Sequence, residues 1–203
     1  MPTALAIVLS LAIGYFLGSI PFAAIVGHFR GTDILKVDTG NPGAANVYRR
    51  LGKRYGLLVG VADMGKAALA VLVARWLGLS PSVAMAAGAA AILGHWYSPF
   101  LHFRGGAGLA AAVGVGFGVI PDLAAIGVTS WALITLATRN VGYSAGGAYV
   151  VVLIVAFALP YPIHYPAVLV LGSVGAGMVV LARALWKDKR AARKRDSAAV
   201  GSE

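Results

Sequence analysis

The sequence predicts an all-α, polytopic membrane protein, a helical bundle of about seven transmembrane helices with its N-terminus outside and its C-terminus cytoplasmic. Three observations predict it. Of the 203 residues, 59% are hydrophobic and only 12% are charged, against about 25% charged in an ordinary soluble domain. Apolar stretches recur at lengths near the roughly 20 residues that span a bilayer core. Basic residues fall on alternate connections, which is the positive-inside pattern.

The opening stretch, Met1 to Ile20, has no basic n-region and reads as part of a retained first span over 4–27. Further spans are predicted at 56–78, 83–101, 109–121, 123–138, 147–161 and 166–184. The 109–121 and 123–138 stretches are short and are divided at Pro121-Asp122, which leaves either two spans or one re-entrant pair. The inner connections would be 28–55, 102–108 and 139–146, carrying Arg30, Lys36, Arg49, Arg50, Lys53, Arg54, Arg104 and Arg139. Outer connections near Ser80-Pro81, Pro121-Asp122 and Tyr161 to Pro166 carry no Lys or Arg, and Arg75, one turn inside, is placed to snorkel. Residues 1–186 make one transmembrane domain, and 187–203 a basic cytoplasmic tail expected to be disordered.

The net charge of +10 is thus mainly a topology signal, with attraction to anionic membrane lipids. Spread over short loops with little aromatic interleaving, it does not suggest nucleic acid. The absence of cysteine excludes disulfides, thiolate metal sites and a cysteine acyl-enzyme.

A polar island from Gly31 to Arg54 interrupts the hydrocarbon. Polar groups are expensive in lipid, so chemistry collects where water reaches. Within the island, Thr39-Gly40-Asn41-Pro42-Gly43-Ala44-Ala45-Asn46 resembles a helix start, with Asn41 as N-cap and Pro42 in the first turn. Gly43 and the alanines would leave backbone N–H groups open to an anion, which the helix dipole favours. Asn46, Arg49, Arg50 and Lys53 follow at helical spacings, so some of them can face one ligand. The plainer alternative is an inner loop bearing ordinary positive-inside charge.

A second glycine-rich segment, His102 to Gly108, offers a backbone cradle with Arg104 as its charge. Glycine also serves close helix packing in lipid, as expected for Gly114, Gly116 and Gly118. Asp63 and Lys66, one turn apart inside the second span, suggest a structural pair near the site. His95 is either a ligand-facing donor or a packed histidine. It has no second His or carboxylate at metal-ligand spacing, so neither a metal nor a cofactor is expected.

Two motifs are decoys. Gly142-Tyr143-Ser144-Ala145-Gly146 matches the G-x-S-x-G nucleophile elbow literally, but that motif needs a preceding strand. His28 and Asp33 have the H-x4-D spacing of one class of glycerolipid acyltransferases, without that class's later motifs.

In this order, Gly18-Ser19-Ile20-Pro21-Phe22, Gly40-Asn41-Pro42-Gly43-Ala44, Asn46-Val47, Arg49, Asp63, Lys66, Gly94-His95, Phe100, Phe103, Gly105-Gly106, Gly108 and Gly142-Tyr143-Ser144 resemble the bacterial integral-membrane acyl-phosphate:glycerol-3-phosphate acyltransferases, the PlsY type. The resemblance covers roughly residues 14 to 150. It implies transfer of a fatty acyl group from acyl phosphate to the 1-hydroxyl of glycerol 3-phosphate, giving lysophosphatidic acid for phospholipid synthesis at the cytoplasmic face. The partners would be those two substrates and membrane lipids, with no nucleic acid.

The implied phosphate-binding residues are Ser19, Thr39, Asn41, Gly43, Arg49, Arg104, Gly105 and Gly106, and the catalytic candidates are Asn46, Ser144 and His95. The chain departs from the family pattern at Ala107, where the glycine loop usually carries lysine, and at Ala45, which lacks a hydroxyl. It also departs at Ala145, at Ser98 in place of proline, and at Arg183 to Trp186, where an H-R-x-N segment is usual. Those departures keep a second reading open, a degenerate homologue that binds acyl phosphate or lipid phosphate without turnover. A small anion transporter is a third.

Overall fold

A computed structural model describes residues 3–139, 141–158 and 165–200, and among the described residues the regular structure is entirely helical. In chain order the helices are α1 (Thr3–Ser19), α2 (Phe22–Phe29), α3 (Ala44–Leu51), α4 (Lys53–Trp76), α5 (Pro81–Trp96), α6 (Leu109–Val119), α7 (Pro121–Thr138), α8 (Val141–Phe157) and α9 (Ala167–Val200), with a 3₁₀ turn at Pro99–Leu101. Among the described residues, four stretches are long and apolar enough to cross a membrane: Thr3–Phe29, Lys53–Trp76, Pro121–Thr138 and Ala167–Lys187.

Over its described residues each apolar stretch expected from the sequence is largely helical, residues 159–161 of the 147–161 stretch lying outside them, and the boundaries move for local reasons. The first stretch breaks at Ile20-Pro21, because proline removes an N–H and crowds the preceding turn. The 83–101 stretch ends at Trp96 and continues only as the 3₁₀ turn. Ser80 caps its start, accepting from Val83 N at 3.4 Å. Pro121 opens α7 where the sequence divides, and the 11 residues of α6 reach about 16 Å, roughly half of a bilayer core. α8 begins ahead of the predicted 147, and α9 continues to Val200 with no break at residue 187.

Glycine sets the closest helix contacts. A Cβ on Gly14 or Gly18 of α1 would strike the backbone of Ala87 or Ala91 of α5, and one on Gly94 would strike the Tyr15 carbonyl. Gly114 of α6 lies equally close to Met64 of α4. With no hydrophobic drive between helices in lipid, such close backbone approach is what holds them together. The interior is correspondingly small-residue rich, built from Ala67, Ala70, Ala74, Ala87, Ala91 and Ala111 with Val71 and Val115. Leu57, Leu133, Leu136 and Leu171 face outward, as a lipid-exposed surface requires.

The island does not float free. Ile34 and Val47 are buried against Ala23 of α2 and Val59 of α4. This small core fixes the polar segment against the bundle.

Candidate active site

Three segments meet at the C-terminal end of α5: the α1–α2 break, the island and the glycine loop. They border a small, open cleft whose lining includes Ser19, Pro42, Asp63, His95, Ser98 and Gly106. Its floor is the pair anticipated within the second span. Lys66 Nζ lies 2.7 Å from Asp63 Oδ1, 2.7 Å from the Ile20 carbonyl and 3.0 Å from His95 Nδ1. An ammonium has three protons to give, and these three acceptors use them. The Ile20 carbonyl lies in the break between α1 and α2, where it also accepts from Phe22 N at 3.2 Å.

The same geometry assigns the histidine tautomer. His95 Nδ1 stands 3.6 Å from Asp63 Oδ1, beyond hydrogen-bonding reach, so Nδ1 accepts from Lys66 and the neutral ring carries its proton on Nε2. Nε2 lies directly beneath Gly106, where an added Cβ would collide with it. His95 therefore presents a donor at the cleft.

The glycine loop folds back on α5. Gly105 N donates to the Trp96 carbonyl at 2.9 Å and Gly106 N to the His95 carbonyl at 3.0 Å, filling acceptors that the helix end leaves open. These two N–H groups are thus occupied, and the expected cradle at this loop is turned so that its carbonyls are presented instead. The turn is tight: His102 and Phe103 both take positive φ, 51° and 61°, an unusual conformation for residues other than glycine. Trp96 Nε1 donates to the Ala107 carbonyl at 2.7 Å and anchors the far side.

The island departs from the expected helix start. α3 begins at Ala44 with Gly43 as its N-cap, not with Asn41 as cap and Pro42 in the first turn. Gly43 N instead donates to the Asn41 carbonyl at 2.9 Å, a three-residue turn centred on Pro42. Asn41 N is held by Thr39 Oγ1 at 3.3 Å. Asn46 Nδ2 donates to the carbonyls of Ile34, Val37 and Asn41 at 3.0–3.2 Å, so its amide clasps the loop. Its Oδ1 is buried and has no hydrogen-bond partner among the described residues. Arg49 Nε and Nη2 lie 2.7 and 2.6 Å from Asp38 Oδ2.

Of the residues singled out from sequence, Ser19, His95, Gly105 and Gly106 line the cleft. Thr39, Asn41, Gly43 and Asn46 shape the wall that carries Pro42. The two loops are close neighbours, since a Cβ on Gly106 would lie 3.0 Å from the Pro42 carbonyl. Arg49 and Arg104 are exposed. Ser144 is fully buried and is not among the cleft's lining residues. Its hydroxyl lies 3.3 Å from that of Thr138. The elbow-like Gly142 to Gly146 lies within α8, and among the described residues the element before it is the helix α7, not a strand. Asp33 accepts from Leu35 N and pairs with Lys36, not with His28.

Sequence reasoning missed two residues. Ser98 Oγ donates to the Ser19 carbonyl at 2.6 Å, tying α1 to the end of α5. No local signal announces that contact. Lys187 Nζ reaches the Gly105 carbonyl at 2.7 Å and Asn41 Oδ1 at 3.3 Å. Its position four residues after Arg183, on one helical face, was the available signal.

The glycerol-3-phosphate acyltransferase family model matches residues 8–194. Glycerol-3-phosphate acyltransferase of Rubrobacter xylanophilus is 38% identical over 189 residues, 92% of this chain and 89% of that relative. Glycerol-3-phosphate acyltransferase 1 of Deinococcus radiodurans is 52% identical over 107 residues, 53% of this chain and 54% of its own length. Among solved structures, the integral-membrane glycerol 3-phosphate acyltransferase PlsY in its lysophosphatidic acid form superposes with a TM-score of 0.77 at 32% identity, covering 93% of both chains. Its glycerol 3-phosphate form gives 0.74 at 30% identity, over 95% of this chain and 92% of PlsY. A family model spanning nearly the whole chain, a near full-length relative and a shared bundle agree: this chain belongs to the glycerol-3-phosphate acyltransferase family.

Proposed function

We propose that this protein transfers a fatty acyl group from acyl phosphate to the 1-hydroxyl of glycerol 3-phosphate, releasing phosphate and lysophosphatidic acid. The observation that carries the reading is the meeting of island and glycine loop over His95, in a member of this family. The hydroxyl oxygen attacks the acyl carbon, and the bond from that carbon to the phosphate oxygen breaks. Acyl phosphate is already activated, so the protein's work is to hold two anions in line and stabilise the oxyanion.

His95, protonated on Nε2, is a donor and not a base. It steadies the oxyanion or the departing phosphate, while the hydroxyl proton passes to a phosphate oxygen of the acyl donor. Arg49 and Arg104 supply phosphate charge, with Asp38 holding Arg49 in position. Each charge-assisted contact contributes about 1.5–3 kcal/mol. Asn46 acts by fixing the island, and Ser144 by seating α8 against α7.

The topology that fits this chemistry has about seven membrane helices, the short α6 among them, N-terminus outside, with the cleft at the cytoplasmic face of the cell membrane. There a water-soluble phosphate ester and a long-chain acyl donor can meet. Purified protein in lipid, given palmitoyl phosphate and radiolabelled glycerol 3-phosphate, should form labelled lysophosphatidate. No product over a range of lipid compositions would sink the reading.

A further inference from the structure

The glycine loop carries no lysine, yet an ammonium stands against it. Lys187, on the far part of α9, donates to the Gly105 carbonyl at 2.7 Å, to Asn41 Oδ1 at 3.3 Å and, at 3.5 Å, to the Gly106 carbonyl. These acceptors belong to the two segments that wall the cleft. The lysine is half-buried, and its stem crosses from α9 to the seam between island and loop.

This placement is built by a whole face of α9. Val180, seven residues before Lys187, packs 3.6 Å from where a Gly108 Cβ would lie. Arg183, four residues before it, stacks its guanidinium 4.6 Å above the Trp96 ring and 5.1 Å from that of Tyr97. Trp96 in turn holds the Ala107 carbonyl. Positions separated by three, four and seven residues share one side of a helix, so Val180, Arg183 and Lys187 read along the loop from Gly108 back to Gly105. The stacked Arg183 fixes the helix rotation and so directs Lys187 to the seam.

We propose that Lys187 is a phosphate-binding residue of this enzyme, delivering from α9 the cation that the glycine loop lacks at Ala107. The inference rests on the acyltransferase reading for the identity of its ligand, a phosphate monoester or acyl phosphate. The carbonyl acceptors at Gly105, Gly106 and Asn41 are dipoles that a phosphate oxygen can replace with a stronger, charge-assisted bond. The lysine is thus parked at the seam in the structure and turns to substrate on binding.

The test uses the full chain in lipid with Lys187→Gln, Lys187→Arg, Lys187→Gln combined with Ala107→Lys, and the exposed control Lys189→Gln. Steady-state kinetics vary glycerol 3-phosphate and palmitoyl phosphate separately, and equilibrium binding of glycerol 3-phosphate and of a non-hydrolysable acyl phosphonate is measured without turnover. Lys187→Gln should weaken one of the two ligands at least tenfold in KM and in Kd, which identifies whose phosphate it holds. Thermal unfolding should stay within a few degrees of the parent. Lys187→Arg should keep most of the affinity, Ala107→Lys should restore it, and Lys189→Gln should change nothing. Affinities for both ligands within twofold of the parent in Lys187→Gln would overturn the proposal. So would a loss that follows unfolding and is not rescued by Ala107→Lys, since that marks a loop tether only. If the parent binds ligand but forms no product, the catalytic reading fails, and the binding arm still decides the role of Lys187.

Discussion

His95 is committed at both ring nitrogens, one accepting from Lys66 and the other facing the cleft. Replacing it by Gln removes the fixed donor while keeping a polar side chain of modest size. His95→Gln is therefore expected to lower kcat by about 100-fold, in line with loss of one oxyanion donor, and to change KM little; steady-state kinetics beside a thermal unfolding curve check this. Gly106→Ala acts on the same atom from the other side, because its methyl group would displace Nε2. A misplacement of about 1 Å can cost about 100-fold, so kcat/KM should fall by at least tenfold in Gly106→Ala while the protein remains folded by circular dichroism. At this scale the sequence was informative about residue types and less so about their jobs. Asn46 stood out as a catalytic candidate, and its amide nitrogen holds Ile34, Val37 and Asn41 while its buried Oδ1 has no partner among the described residues. An Asn at helical spacing looks the same whether it faces a ligand or its own loop.

Among the elements, the α1–α5 seam positions the cleft. Gly14, Gly18 and Gly94 bring the two backbones together, and Ser98 Oγ closes the seam on the Ser19 carbonyl. Gly18→Val should destabilise by at least the 1–3 kcal/mol typical of overpacking (about), because backbone rather than a flexible side chain blocks the methyls. Ser98→Ala should cost about 1–3 kcal/mol, since a buried carbonyl loses its donor. Both are measurable as shifts in denaturation midpoint in a fixed detergent. Helices α1 and α4 were legible as long apolar runs, α7 only as a short one, and Pro121 as a boundary. The break at Pro21 was not foreseen, since hydropathy runs straight through it and only the proline marks it. The start of α3 was misjudged because Asn41 and Pro42 suit a cap as well as they suit the turn they form.

For the whole molecule, the lack of cysteine makes sidedness directly testable. Single cysteines at Lys36 and at Ser80, in right-side-out and inverted vesicles, should react with an impermeant maleimide from opposite sides, Lys36 from the cytoplasmic one. Labelling of both from the same side would overturn the proposed topology. The bundle as a class was legible from composition, but the closeness of island, glycine loop and α9 was not, because those segments are separated by dozens of residues of apolar sequence.

Lys66 joins the end of α1, the middle of α4 and the end of α5 through one nitrogen. Removing a single partner from a buried ion pair is far more damaging than removing both, so Asp63 and Lys66 should be strongly non-additive in a double-mutant cycle. That hub gives the proposed His95 donor no independent existence. Whatever loosens the packing of those three helices disarms the imidazole in the same step, so heat inactivation and loss of tertiary order should follow a single curve.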